Sequence, residues 1–248
     1  MRATANPQLS ATVLSTPVFG DVTSANIVGY TAIQTEGGGL YTQLTPQFVE
    51  VNDNTKIKLS SIKFTPINND TIQVFNTDGD VEVLLQYRTN KKVDGVVKPG
   101  WFLDNKTYID DWEFDRGQSI WFCTANETDG TISGAVAKGK NVVTIPGSGL
   151  YVQTGNSTPV AFNLSQLEIP NLVNNDTIQI FNSDGDVDVL LQYRTNKKVD
   201  GVLKPGWFLD NKTWIDDTTY PIPAGLAFWV CCANEGSMTI PAAIDDEE

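Results

Sequence analysis

The chain has no histidine and only three cysteines and two methionines among its 248 residues. A missing imidazole removes the commonest general base and a usual metal ligand, so Ser-His-Asp and Cys-His nucleophile arrangements are excluded. Three cysteines, two of them adjacent as Cys231 and Cys232, do not make a disulfide scaffold. Neighbouring thiols bridge only under strain, and an odd count leaves one free. Cys123 and Cys231 stand at matching places in "IWFC" and "FWVC", where they read as small apolar filler. Basic charge is also scarce, with 17 Lys and Arg against 30 Asp and Glu, a net charge of -13 and a pI near 4.3. Scattered and outnumbered basic residues argue against nucleic acid as a partner. No run approaches the roughly 20 apolar residues of a spanning helix, so no membrane span is expected. No segment keeps a helical period over a helix's length, and a single turn at "LSSI" or "LSQL" is the most helix expected.

What the chain does have is a repeat. Setting residues 69–111 against 175–217 aligns 43 positions, of which 38 are identical. The five differences are Val74/Ile180, Thr77/Ser183, Glu82/Asp188, Val97/Leu203 and Tyr108/Trp214, and each keeps size class, charge or aromaticity. A thinner likeness continues outside the block, in "GGGLY" ending at Tyr41 and "GSGLY" ending at Tyr151. The repeating unit is therefore a whole domain.

Its local pattern is β throughout. "DTIQVFN" and "VEVLLQYRT" are β-branched and aromatic runs separated by "TDGD", a strong hairpin signal because glycine supplies a positive φ at little cost. Val81, Val83, Leu85 and Tyr87 alternate with Glu82, Gln86 and Arg88, the pattern of a strand with one face in a core. Short strands punctuated by turns indicate a sandwich or barrel. The expected fold is all-β: two tandem homologous β-sandwich domains of jelly-roll-like kind from an internal duplication. The expected boundaries are an extended N-terminal strand segment over 1–26, repeat one over 27–134, and repeat two over 135–248 with an acidic tail.

"VTSANIVGY" from Val22 to Tyr30, "DTIQVF" with its copy "DTIQIF", the Gly-Trp pairs Gly100-Trp101 and Gly206-Trp207, and "GQSIWF" with "GLAFWV" are similar to motifs of secreted β-rich proteins of Verrucomicrobia-type bacteria. The resemblance implies export and an all-β fold, with no catalytic residues to carry over. As an export signal the first 26 residues depart from the pattern, because Asn6, Pro7 and Gln8 and later Ser, Thr and Pro residues break the apolar stretch. Gly20 is the candidate cleavage point.

Candidate chemistry is sparse. The neighbouring carboxylates Asp110-Asp111 and Asp216-Asp217 sit where adjacent strand side chains diverge, so neither pair flanks a scissile bond, and no enzyme is expected. The glycines Gly37 to Gly39 precede a strand-like segment and not a phosphate-cradling helix. Asn76, Asp78 and Asp80, with Asn182, Asp184 and Asp186, place side-chain oxygens at alternate positions, which makes calcium the candidate ion and otherwise no cofactor. The competing reading is a tight hairpin whose Asn and Asp tolerate left-handed geometry.

Tyr87, Trp101, Phe102 and Tyr108, with Tyr193, Trp207, Phe208 and Trp214, are the candidate contact residues, either as exposed platforms or as core. Pro-Gly before Trp101 and Trp207 suggests tryptophans near turn tips. A core alone would not hold turn residues such as "NKKVDG" alike in both copies, since cores tolerate swaps and surface loops tolerate more. A shared contact would, and so would recent recombination that overwrote one copy. The leading expectation is a self-assembling extracellular or cell-surface structural protein, a filament, tube or surface layer. Its partners are copies of itself, joined head to tail with the strand-like "LSATVLSTPVF" added to a neighbour's sheet edge. The alternative is a bivalent glycan-binding or adhesive module.

Overall fold

The computed structural model describes residues 27–244 and the backbone of Ala11–Thr12. About half of this region is β-strand and the rest turns and loops, with no α-helix. The two single turns fall where the sequence places them, as 3-10 turns at Leu59–Ser61 and Leu164–Gln166. No helix of the described residues is long and apolar enough to cross a membrane.

Each repeat contributes one six-stranded antiparallel sheet. In repeat one the order across the sheet is Thr107–Ile109, Gly100–Leu103, Val81–Arg88, Thr71–Phe75, Ile120–Cys123, Tyr41–Leu44. In repeat two it is Thr213–Trp214, Gly206–Leu209, Val187–Arg194, Thr177–Phe181, Ala227–Cys231, Tyr151–Gly155. Corresponding strands thus hold corresponding places.

The hairpin at the centre of each sheet forms for reasons local to its sequence. Asn76 accepts the backbone N–H groups of Asp78 and Asp80 on Oδ1 at 3.0 and 2.9 Å, and Asn182 does the same for Asp184 and Asp186. Gly79 and Gly185 then turn the chain at φ of 89° and 88°, a region that costs other residues strain. Beyond the turn, Val74 pairs with Val83 but Phe75 with Val81, a bulge that leaves Glu82 unpaired. Such an extra residue breaks the alternation. Val81, expected on the core face, is therefore 45% exposed, and Val187 in the matching bulge is too.

Further strands close the core on the far side of each sheet. In repeat one, Val28–Thr35 runs along Thr128–Val136, which also pairs with Phe48–Val49 and Ile62–Lys63. In repeat two, Asn141–Ile145 pairs with Gly236–Ile240, and Pro241, with no N–H to donate, follows at once. The first core joins Ile33, Ile62 and Ile132 to Ile72, Leu85 and Phe122, and the second joins Ile145, Met238 and Ile240 to Ile178, Leu191 and Phe228.

Buried carboxylates tie loops to these cores. Asp70 accepts the N–H groups of Ile67 at 2.7 Å and Ala125 at 2.9 Å, and Asp176 those of Val173 at 2.8 Å and Ala233 at 2.9 Å. Ala11–Thr12 pairs with the chain's own strand, Ala11 opposite Thr31 and Thr12 opposite Tyr30, so this sheet edge is met from within the chain. The rest of the N-terminal segment, the cleavage point at Gly20 and the acidic tail over 245–248 lie outside the described residues.

Candidate functional site

The two sheets meet at their inner edges, and the contact is reciprocal. Tyr41 donates its backbone N–H to Ser183 at 2.7 Å, and Tyr151 donates to Thr77 at 2.8 Å. Trp121 packs on Phe181 with ring centroids 5.5 Å apart, and Trp229 packs on Phe75 at 5.3 Å. Each hairpin turn of one repeat thus sits on the strand and indole of the other. Gly79 and Gly185 lie against these rings, where a Cβ would sit in ordinary contact 3.7 Å from Trp229 and 3.8 Å from Trp121, so it is their positive φ and not the space that calls for glycine. Tilted and edge-on ring pairs of this kind contribute about 0.5 to 1.5 kcal/mol each beyond their area.

A buried polar chain runs alongside. Thr154 donates its hydroxyl to Gly117 O at 2.8 Å, Thr45 donates its N–H to Gly225 O at 2.9 Å, and Ser119 Oγ donates to Thr154 O. Thr45, Ser119 and Thr154 are fully buried. A contact in which i meets j and j meets i is self-complementary, and two modules saturate it. Within the chain the two repeats therefore meet reciprocally and not head to tail.

The hairpin tips at the far strand ends are alike for a different reason. Asp94 and Gly95, at φ of 52° and 82°, and Asp200 and Gly201, at 50° and 81°, form two-residue turns of the kind that match strand twist. The short hairpins they close, Val96 opposite Val93 and Val202 opposite Val199, carry in Val96 and Val202 the two most exposed large apolar side chains among the described residues. Val96 and Val202 are each 68% exposed, Val97 50% and Leu203 55%.

The predicted contact residues divide. Phe102, Phe208 and Trp207 are buried at 1%, 1% and 5% exposure, so they offer no ring face to a partner. The reason is register. Gly100 and Gly206 open strands, pairing with Arg88 and Arg194, and Pro-Gly there is a strand entry and not a turn tip. Trp101 and Trp207 stack edge-on to Tyr87 and Tyr193, at 5.4 and 5.5 Å. Tyr108 and Trp214 are half-buried and capped by cations, with Lys98 Nζ 3.7 Å and Lys204 Nζ 3.0 Å from the ring centroids. Beneath them lies glycine. A Cβ at Gly100 would meet the Tyr108 ring at 2.7 Å, and one at Gly206 would meet Trp214 Nε1 at 3.0 Å.

The candidate calcium oxygens of Asn76 and Asn182 are spent on the hairpin amides described above, while Asp78, Asp80, Asp184 and Asp186 are exposed. Among the described residues no group of three or more Asp, Glu, Cys or His side chains converges as a metal site. A shallow cleft over Glu50, Asp53, Lys56, Lys58 and Glu113 has its charges engaged: Lys56 meets Asp115 at 2.5 Å and Lys58 meets Glu50 at 3.8 Å. The Thr55 hydroxyl and amide hold the Asp53 carboxyl below its usual range.

The matched thiols are not core filler. Cys123 and Cys231 are half-buried and donate to Gly39 O and Gly149 O, each at 3.2 Å, whereas Cys232 is packed in the second core. Desolvation there, aided by Asp176, pushes the Cys232 thiol up to about 12.

Charge follows the same division into inner turns and outer tips, which sequence reading missed by treating the basic residues as scattered. Residues 88–106 carry Arg88, Lys91, Lys92, Lys98 and Lys106 against Asp94 and Asp104, and residues 194–212 repeat that set. The inner hairpins carry Asp78, Asp80 and Glu82, and Asp184, Asp186 and Asp188, with no basic residue from 76 to 82 or from 182 to 188. The inner hairpins are thus acidic, and the outer segments hold most of the basic residues, offset in part by Asp110, which pairs with Lys98 at 3.2 Å. Comparison with family models, curated proteins and solved structures finds no match.

Proposed function

We propose that this chain is a non-catalytic, self-assembling structural protein, built as two tandem β-sandwich modules from an internal duplication. The observation that carries the reading is the reciprocal aromatic contact of Trp121, Phe181, Trp229 and Phe75. It closes the repeats on each other and leaves a body with two nearly identical ends, each bearing exposed valines. A unit with two like ends joins its neighbours without terminating.

Paired apolar tips also explain why the block is kept twice, since both ends meet the same demand. Export to the cell surface, implied by the family resemblance, suits such a polymer. Among the alternatives, a glycan-binding module is less well served, because Lys98 and Lys204 cover the half-buried rings that would stack on sugars. Light scattering of the full chain over a hundredfold concentration range tests the reading. Growth to regular polymers in electron micrographs is the expected result, and a monomer throughout would end it.

A further inference from the structure

We infer that the intermolecular contact joins the basic hairpin tip of one copy to the acidic waist of another, an inference that rests on the self-assembly reading above. Both halves of that contact lie inside the duplicated block. The tip offers Lys92 and Lys198 beside Val96, Val97, Val202 and Leu203, all exposed. The waist offers Asp78, Asp80 and Glu82 around Val81, and Asp184, Asp186 and Asp188 around Val187, with the two valines 45% exposed.

Charge complementarity names the occupant. On a chain of net charge -13, the tips are locally rich in lysine, with Lys91 and Lys92 beside Asp94 while Lys98 is held by Asp110 at 3.2 Å, and a second copy carries an acidic surface with apolar side chains set between its carboxylates. Opposed potentials steer approach and suppress like-with-like pairing, so tip-to-tip and waist-to-waist contacts are disfavoured. Of the five substitutions in the block, Glu82/Asp188 preserves waist charge and Val97/Leu203 preserves the apolar tip. Each chain then presents two donors at its ends and acceptors near its middle, which generates a branched or layered lattice more readily than a single thread.

The test uses the full chain in four forms: wild type, the tip reversal Lys92→Glu with Lys198→Glu, the waist reversal Glu82→Lys with Asp188→Lys, and all four changes together. All four side chains are exposed, and circular dichroism reports that the fold is kept. Wild-type assembly should weaken as salt rises from about 0.05 to 0.5 M, where screening shortens from about 14 to 4 Å. Either reversal should raise the concentration needed for assembly at least roughly tenfold, and the combined variant should recover it. Val96→Ser with Val202→Ser should also weaken assembly, at every salt concentration. Polymers indifferent to the tip reversal, or a combined variant no better than the single reversals, would overturn this contact while leaving self-assembly standing. A wild-type chain that never assembles overturns both. A monomer whose tips bind anionic vesicles or sulfated polysaccharide, lost on the tip reversal, assigns the tips to another partner and overturns the inference.

Discussion

The indole rings of Trp121 and Trp229 lie 6.1 Å apart, and each also meets the phenyl ring contributed by the opposite repeat. Both indoles are almost fully buried, at 5% and 6% exposure. Truncating either ring opens a large void at a place shared by two sheets. Trp229→Ala should cost about 3 to 5 kcal/mol and split unfolding into two transitions, because the repeats then melt separately. Scanning calorimetry checks this. One unshifted transition would show that the repeats do not lean on this contact.

Gly100 and Gly206 support matching aromatic side chains but leave unequal room. Gly100→Ala forces a methyl to 2.7 Å from a Tyr108 ring carbon, whereas Gly206→Ala meets the Trp214 ring nitrogen at 3.0 Å, tight but relieved by a few tenths of an ångström. Both changes carry backbone strain of about 1 to 3 kcal/mol at φ of 157° and 149°. Urea unfolding should find Gly100→Ala the more destabilised of the two.

Asp176 joins two loops through its two carboxylate oxygens while being 2% exposed. Asp176→Ala leaves the amides of Val173 and Ala233 without their acceptor, at a cost of about 2 to 4 kcal/mol. Asp70→Ala should do the same in repeat one, and hydrogen exchange at Ile67 and Ala125 would report the opening directly.

The Cys232 thiol separates fold from solvent by its titration. Its usual value of 9.0 is raised to about 12 in the folded chain, chiefly by desolvation. A raised value means that the protonated thiol favours the fold: this contribution is complete below pH 9.0 and is lost as pH rises toward 12. Alkylation at pH 8 should modify Cys232 only after unfolding. Rapid modification in the native chain would place it at the surface.

Much of the fold was legible in the residues. Asp-Gly at 78–79 and 184–185 marked the hairpins, and the alternating apolar runs around them marked all-β structure. The aromatic waist was not legible, because Tyr41, Phe75 and Trp121 lie on three separate strands and read individually as ordinary core residues. Only the strand order brings them to one edge. Val81 misled for a local reason, the bulge at Glu82. Trp101 and Trp207 misled because Pro-Gly reads the same before a strand as within a turn, whereas the actual tips are the Asp-Gly pairs five residues earlier. The lysine-rich tips were visible in composition but took a place only once both hairpins proved to extend from the strand ends opposite the inner turns.

Zero-length carbodiimide cross-linking of an equal mixture of ordinary and nitrogen-15-labelled full-length chains tests the central claim most directly, since the reagent joins lysine to carboxylate only in contact. Mixed-isotope peptides linking Lys92 or Lys198 to the 78–82 or 184–188 hairpins are the result the account predicts. Cross-links confined to peptides of a single isotope, such as Lys56 to Asp115 and Lys140 to Glu168 within one chain, would contradict it.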